Sequence, residues 1–143
     1  MWLKQIVTDI TKKHKTANPF EIAENLNIQI IEWDLHHEIN GYYKYDRRNK
    51  YIVINQNLSN EWKKVVCAHE LGHAILHTRI NTPFMKQNTL FSLNKIEREA
   101  NRFAAELLIS EDSFKECGNI YEIASLHNVP IDLVHLKREK LFI

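Results

Sequence analysis

The sequence predicts an α+β domain: two helices, a small antiparallel sheet of three or so strands, then a mostly helical C-terminal half. Three observations lead there. Apolar residues recur at helical spacing at the N-terminus and again after Asn57, and β-branched and aromatic runs lie between residues 28 and 55. Only three Gly and three Pro occur in 143 residues, too few punctuators for a many-turned all-β fold or long flexible linkers.

Each element has a local reason. In 1–16, Trp2, Leu3, Ile6, Val7 and Ile10 form one apolar side, broken by Lys4, Gln5, Thr8 and Asp9, as in an amphipathic helix. Asn18, Pro19 and Glu21 then supply a cap, a first-turn proline and a capping-box acid for a helix whose apolar side is Phe20, Ile22, Ala23 and Leu26. Asn27 suits a left-handed stop. Residues 28–33 read as a strand, and 39–45 and 50–55 as a hairpin turning at 46–49. Ser59 or Asn60 can cap a helix running to about His77. Residues 79–93, without a clear period and containing Pro83, read as a loop. A strong helix follows over 95–108, then two or three short ones.

Composition removes several classes of function. Nineteen Lys and Arg against eighteen Asp and Glu give a net charge of +1, which argues against action through a broad basic face. No apolar run reaches 18 residues, so no membrane span is expected. The amphipathic N-terminus lacks a signal peptide's apolar stretch, and two cysteines make no disulfide framework; both point to a reducing, cytoplasmic setting. The eight histidines are the compositional oddity.

Two of them matter most. The stretch VVCAHELGHAIL over 65–76 is apolar or Gly except for His69, Glu70 and His73. A helix apolar on all sides is a buried helix. His69 and His73 lie one turn apart, about 40° around the axis, so both imidazoles can reach one ion at about 2.0–2.1 Å. Glu70 is rotated by about 60–100°. It is placed to touch a water rather than to serve as an equal ligand. This is the H-E-x-x-H arrangement of two zinc ligands and a general base. The bland alternative is two core histidines bonded to carbonyls and an ion-paired Glu, which burial of three polar groups makes costly.

A third protein ligand is needed. His77 lies about 12 Å along the axis from His69 and about 80° around, so it reads as a helix-end residue or as support for a ligand. On the helix NKIEREANRFAAELL, the charged residues Lys95, Arg98, Glu99, Arg102 and Glu106 share one arc. Glu97 alone falls inside the apolar arc, and a buried carboxylate must be paired or metal-bound. Asn101, one turn on, can orient a ligand histidine. Two alternatives stay open: Glu97 completing a capping box on Asn94, and Glu99 as the ligand.

CAHELGHAILH followed by EREANRFAAELL resembles the ImmA/IrrE family of metallopeptidases, and NPFEIAENLNIQI and YIVINQNLS extend the likeness over most of the chain. The resemblance implies a zincin-like fold, with a peptidase core over 1–110 and a helical tail over 111–143 within the same domain. It implies Zn2+ held by His69, His73 and Glu97, with Glu70 as general base. It also implies a helix-turn-helix repressor of a phage or mobile element as protein substrate. A substrate strand would lie along a free sheet edge. His77, Tyr42 and Tyr43 are candidates to stabilise the oxyanion. The family's Met-Pro after the two leucines is replaced here by Ile109 and Ser110.

The tail offers a rival. YEIASLHNVPIDLVHLKRE over 121–139 carries Ala124, Asn128, Val129 and Val134 at helix-turn-helix offsets, with Lys137, Arg138 and Lys140 after them. The alternative function is thus a non-catalytic, metal-containing regulator that binds a repressor or DNA. Three or four cations give little phosphate contact, so a packed helical hairpin is the preferred reading and DNA binding is not expected.

Overall fold

The computed structural model describes residues 2–81, 85–86 and 94–141. Helix α1 spans Trp2–His14 and buries Leu3 and Val7. Helix α2, Pro19–Asn25, starts where Asn18 accepts a bond from the Phe20 amide. Asn27 just beyond it is left-handed, at φ 59°. Strands β1 (Gln29–Trp33), β2 (Ile39–Asp46) and β3 (Asn49–Asn55) follow. Arg47 and Arg48 make the tight turn between β2 and β3, both at positive φ, as a two-residue primed turn demands. Helix α3 is Asn60–Leu76, capped by the Ser59 hydroxyl, which accepts from the Trp62 amide. Beyond it come β4 (Met85–Lys86), α4 (Lys95–Leu108), α5 (Ser113–Glu116), α6 (Ile120–His127) and α7 (Ile131–Leu141).

The α+β class stands, but the sheet is mixed rather than antiparallel. Its order is β1-β3-β2-β4, and β1 pairs with β3 in parallel, Ile31 beside Val53 and Glu32 beside Ile54. The chain therefore crosses the end of β3 between β1 and β2. Asn55, buried at that end, holds the crossing: its amide donates to the carbonyls of Leu35, His36 and Ile39. Sequence patterning alone ranks no such partner choice. A second difference lies within 79–93, expected to be loop. Met85 and Lys86 pair antiparallel with Gly41 and Ile39 at the far edge of β2. The rest of that expectation, at 82–84 and 87–93, lies outside the described residues.

Helix α3 runs through the middle of the core. The sheet packs on it through β2 and β3, and α2 and α4 pack on it as well. On the far side α4 meets α1 and α7. Lys137 of α7 is 3% exposed and donates to the carbonyls of Glu106 and Ile109, with the Glu106 carboxylate 3.4 Å away. These are carbonyls left without helical partners at the end of α4, so α7 caps α4 with a buried ammonium.

Gly41 marks the closest approach of sheet and α3. A Cβ there would lie 2.5 Å from the Val53 carbonyl oxygen and 2.8 Å from a Val66 methyl. The backbone oxygen cannot step aside without opening the β2–β3 ladder. Gly41→Ala is therefore expected to cost about 2 kcal/mol in denaturant unfolding; an unchanged midpoint would show that the strands can part at no cost.

Candidate metal centre

The polar residues of α3 sit in the driest part of the molecule. His69, Glu70 and His73 are each 0–1% exposed, within an unbroken buried run from Val65 to Ala74. Their partners come from α4, which can approach because Gly72 has no side chain. A Cβ at Gly72 would stand 3.1 Å from the Phe103 Cβ and 3.2 Å from the Ala100 Cα. With Ala100 and Ala104 on the facing side, the first turns of α4 lie directly against the histidines.

Glu97 bridges the two. Its Oε2 is 2.9 Å from His69 Nε2 and its Oε1 is 2.9 Å from His73 Nε2. The rings of His69 and His73 have centroids 4.9 Å apart and lie nearly perpendicular, at 81°. One donor atom each from His69, Glu70 and His73 falls within 4.8 Å of the others. Asn94 does cap α4, accepting from the amides of Ile96 and Glu97, yet the Glu97 carboxylate faces the histidines. Asn94 is thus the cap, as the capping-box alternative has it, while the Glu97 carboxylate meets the two histidines. Glu99 lies elsewhere, its Oε1 3.0 Å from His77 Nε2.

The ring nitrogens show what the cluster lacks. His69 Nδ1 is 2.7 Å from Asn101 Oδ1, while its Nε2 faces Glu97. Both neighbours are acceptors, and a neutral imidazole carries one N–H. A second positive centre, a proton or a metal ion, must therefore enter. His73 Nε2 is close to Glu97 but makes no hydrogen bond, and neither oxygen of Glu70 has a partner among the described residues. Two imidazole nitrogens, one of them an orphan, and a carboxylate shared between them fit a divalent cation bound by N and O donors.

The acid–base pattern follows from burial and mutual fields. Burial pushes the His69 imidazole down, but Glu97, Glu70 and Asn101 outweigh it and leave its pKa raised. His73 is lowered, chiefly by burial, although Glu97 opposes this. Glu97 is held well below the carboxylate range, because the two histidines overcome the effect of burial. Glu70 goes the other way: burial, with Glu97 adding to it against His69, pushes it up to about 7. Two carboxylates beside the same histidines are thus driven to opposite behaviour, one held as the anion and one poised to exchange a proton.

The peptidase family model described as the IrrE N-terminal-like domain matches residues 23–137. The chain belongs to the ImmA/IrrE family of metallopeptidases. It is 53% identical over 139 residues to "Uncharacterized immunity region protein 2" of Bacillus phage phi105, covering 94% of this chain and 88% of that one. It is 33% identical over 136 residues to "Metallopeptidase ImmA" of Bacillus subtilis (strain 168), covering 90% and 79% respectively. A metallopeptidase family implies a bound metal ion, and the histidine–glutamate cluster on α3 is where this member has room for one.

Other site expectations fare differently. Tyr43 donates its hydroxyl to the Thr78 carbonyl, in the core. Tyr42 pairs with Val53 on the opposite sheet face. His77 ends α3 with its Nδ1 3.1 Å from His73 Nδ1, outside the Glu97 cluster, as the axial distance from His69 requires. Its link to Glu99 was not read from the sequence; the only local signal was the four-residue spacing of His73 and His77.

Glu70 yields a pH test on metal-free protein. Its folded pKa of about 7 lies above the ordinary 4.5, so the folded chain holds this proton more tightly than the unfolded one. The associated stability is complete below 4.5 and is lost as pH rises through about 7. Glu70→Gln is therefore expected to stabilise by on the order of 3 kcal/mol at pH 8 and hardly at all at pH 4. Denaturant unfolding in a chelator at the two pH values reads this directly; an equal effect at both would place the ionised carboxylate in water.

Proposed function

We propose that the chain is a zinc-dependent endopeptidase that hydrolyses a peptide bond in a regulatory protein, a helix-turn-helix repressor of a phage or mobile element. In this reading His69, His73 and Glu97 hold the zinc ion and Glu70 is the general acid–base group. One observation carries it: His69 Nε2, the orphaned His73 Nε2 and the Glu97 carboxylate converge, next to an unpartnered carboxylate pushed up to about 7. That value suits a group that must both take and return a proton near neutrality.

Zinc bound there supplies Lewis acidity towards the scissile carbonyl and increases the acidity of a nearby water. The protein's own part falls to named atoms. Asn101 accepts from His69 Nδ1–H and turns Nε2 towards Glu97. Glu97 stays anionic and offsets the cation's charge. A Glu70 oxygen takes the proton from the attacking water and delivers it to the leaving amine nitrogen. Apolar packing around α3 excludes bulk water and strengthens each of these fields.

Membership of a metallopeptidase family supports proteolysis, and the phage immunity-region relative supports a role against a repressor. The DNA-contacting alternative loses its best residue. Lys137 is buried beneath α4, and Leu133, Val134 and Leu136 of the same helix are in the core. Asn128 does adopt the left-handed turn at φ 54°, but the helix after it is packed into the protein and not presented to a groove.

Incubating zinc-loaded protein with a helix-turn-helix repressor from the same phage or mobile element, followed by mass spectrometry, is expected to give one defined cut. Glu70→Gln is expected to keep zinc and to slow cutting by about 10²–10⁴-fold. Undiminished cutting by that variant would remove Glu70 from the chemistry. An intact repressor that instead co-purifies with the protein would favour a binding role.

A further inference from the structure

We propose that Glu99 and His77 form a positioning relay that fixes the tautomer of His73 and so sets the metal affinity of the site. The inference rests on the zinc-site reading, and it assigns roles to two residues outside the ligand set. The contacts run in one line. Glu99 Oε1 is 3.0 Å from His77 Nε2, and His77 Nδ1 is 3.1 Å from His73 Nδ1. The His77 and Glu99 side chains are 8% and 20% exposed, so water competes weakly for these bonds.

Donor–acceptor logic gives the line a direction. An ionised carboxylate only accepts, so His77 Nε2 carries the hydrogen. Neutral His77 then has a bare Nδ1, which accepts from His73 Nδ1–H. That leaves His73 Nε2 unprotonated and aimed at the Glu97 side. The opposite polarity would put the hydrogen on His73 Nε2, 2.9 Å from Glu97 Oε1, and leave that nitrogen no lone pair for a cation.

The arrangement parallels that of the other histidine. Asn101 Oδ1 accepts from His69 Nδ1 directly, and both acceptors depend on α4. Glu97, Glu99 and Asn101 thus divide the work within two turns of one helix: one carboxylate meets both bare nitrogens, and the other two side chains orient the rings. The difference is that His77 can present either a donor or an acceptor, and Glu99 selects the acceptor. A direct acceptor at position 77 makes Glu99 dispensable.

The test is zinc affinity, measured by competition with a chromophoric chelator, with folding followed by circular dichroism. His77→Leu is expected to weaken zinc about 10–100-fold, and Glu99→Ala about 10-fold. His77→Asn puts an amide oxygen where Nδ1 stood; it is expected to bind within about threefold of wild type. In the His77→Asn background, Glu99→Ala is expected to have no further effect. Wild-type affinity in His77→Leu, or an undiminished Glu99→Ala effect in the His77→Asn background, overturns the relay. If His77→Leu does not fold, Glu99→Ala with and without His77→Asn decides alone. A wild-type chain that binds no zinc overturns the zinc-site reading together with the relay, and so is distinguishable from failure of the relay only.

Discussion

Three polar side chains on a helix with no solvent-facing side in their vicinity set the terms for the rest of the structure. His69, Glu70 and His73 are removed from water by their place in α3, and buried polar groups without partners cost several kcal/mol each. Their partners can come only from an element packed directly on α3. That element is α4, and its approach depends on Gly72 facing Ala100 and Phe103 with nothing between them. A helix one methyl group farther away could still bury Phe103, but Glu97 would no longer span both imidazoles. The precision of the site is therefore a property of helix–helix packing. The sheet's part is to seal the opposite side of α3, with Gly41 giving the closest fit.

Much of this was legible in the sequence, for reasons that differ between elements. Caps and turns were readable because they are local: Asn18, Ser59 and Asn94 each accept amide bonds within three residues, and Asn27 and Asn128 stop their helices in the left-handed region. Glu97 was readable because a carboxylate inside an apolar arc contradicts its own surroundings. The direction of β1 was not readable. It depends on a crossing over the end of β3 that Asn55 holds through carbonyls 16 to 20 residues away. The His77–Glu99 contact joins residues 22 apart on separate helices, and the arc of Glu99 suggests a solvated acid or an alternative ligand, not a partner of His77.

The two glutamates nearest the histidines show how little residue type fixes chemistry. Glu97 meets two imidazoles and is held as an anion, while Glu70, one residue from His69, is buried without a hydrogen-bond partner and is pushed up to about 7. The difference is one of partners. Burial raises both carboxylates, and only Glu97, supplied by α4, has the two imidazoles to reverse the effect.

Lys137 gives the C-terminal helices a mechanical meaning. Its ammonium grips the last carbonyls of α4, while the first turns of the same helix carry Glu97, Glu99 and Asn101. Fourteen residues of helix are a stiff rod of about 21 Å. The tail thus meets, at its opposite end, the helix that carries Glu97, Glu99 and Asn101 to the histidines.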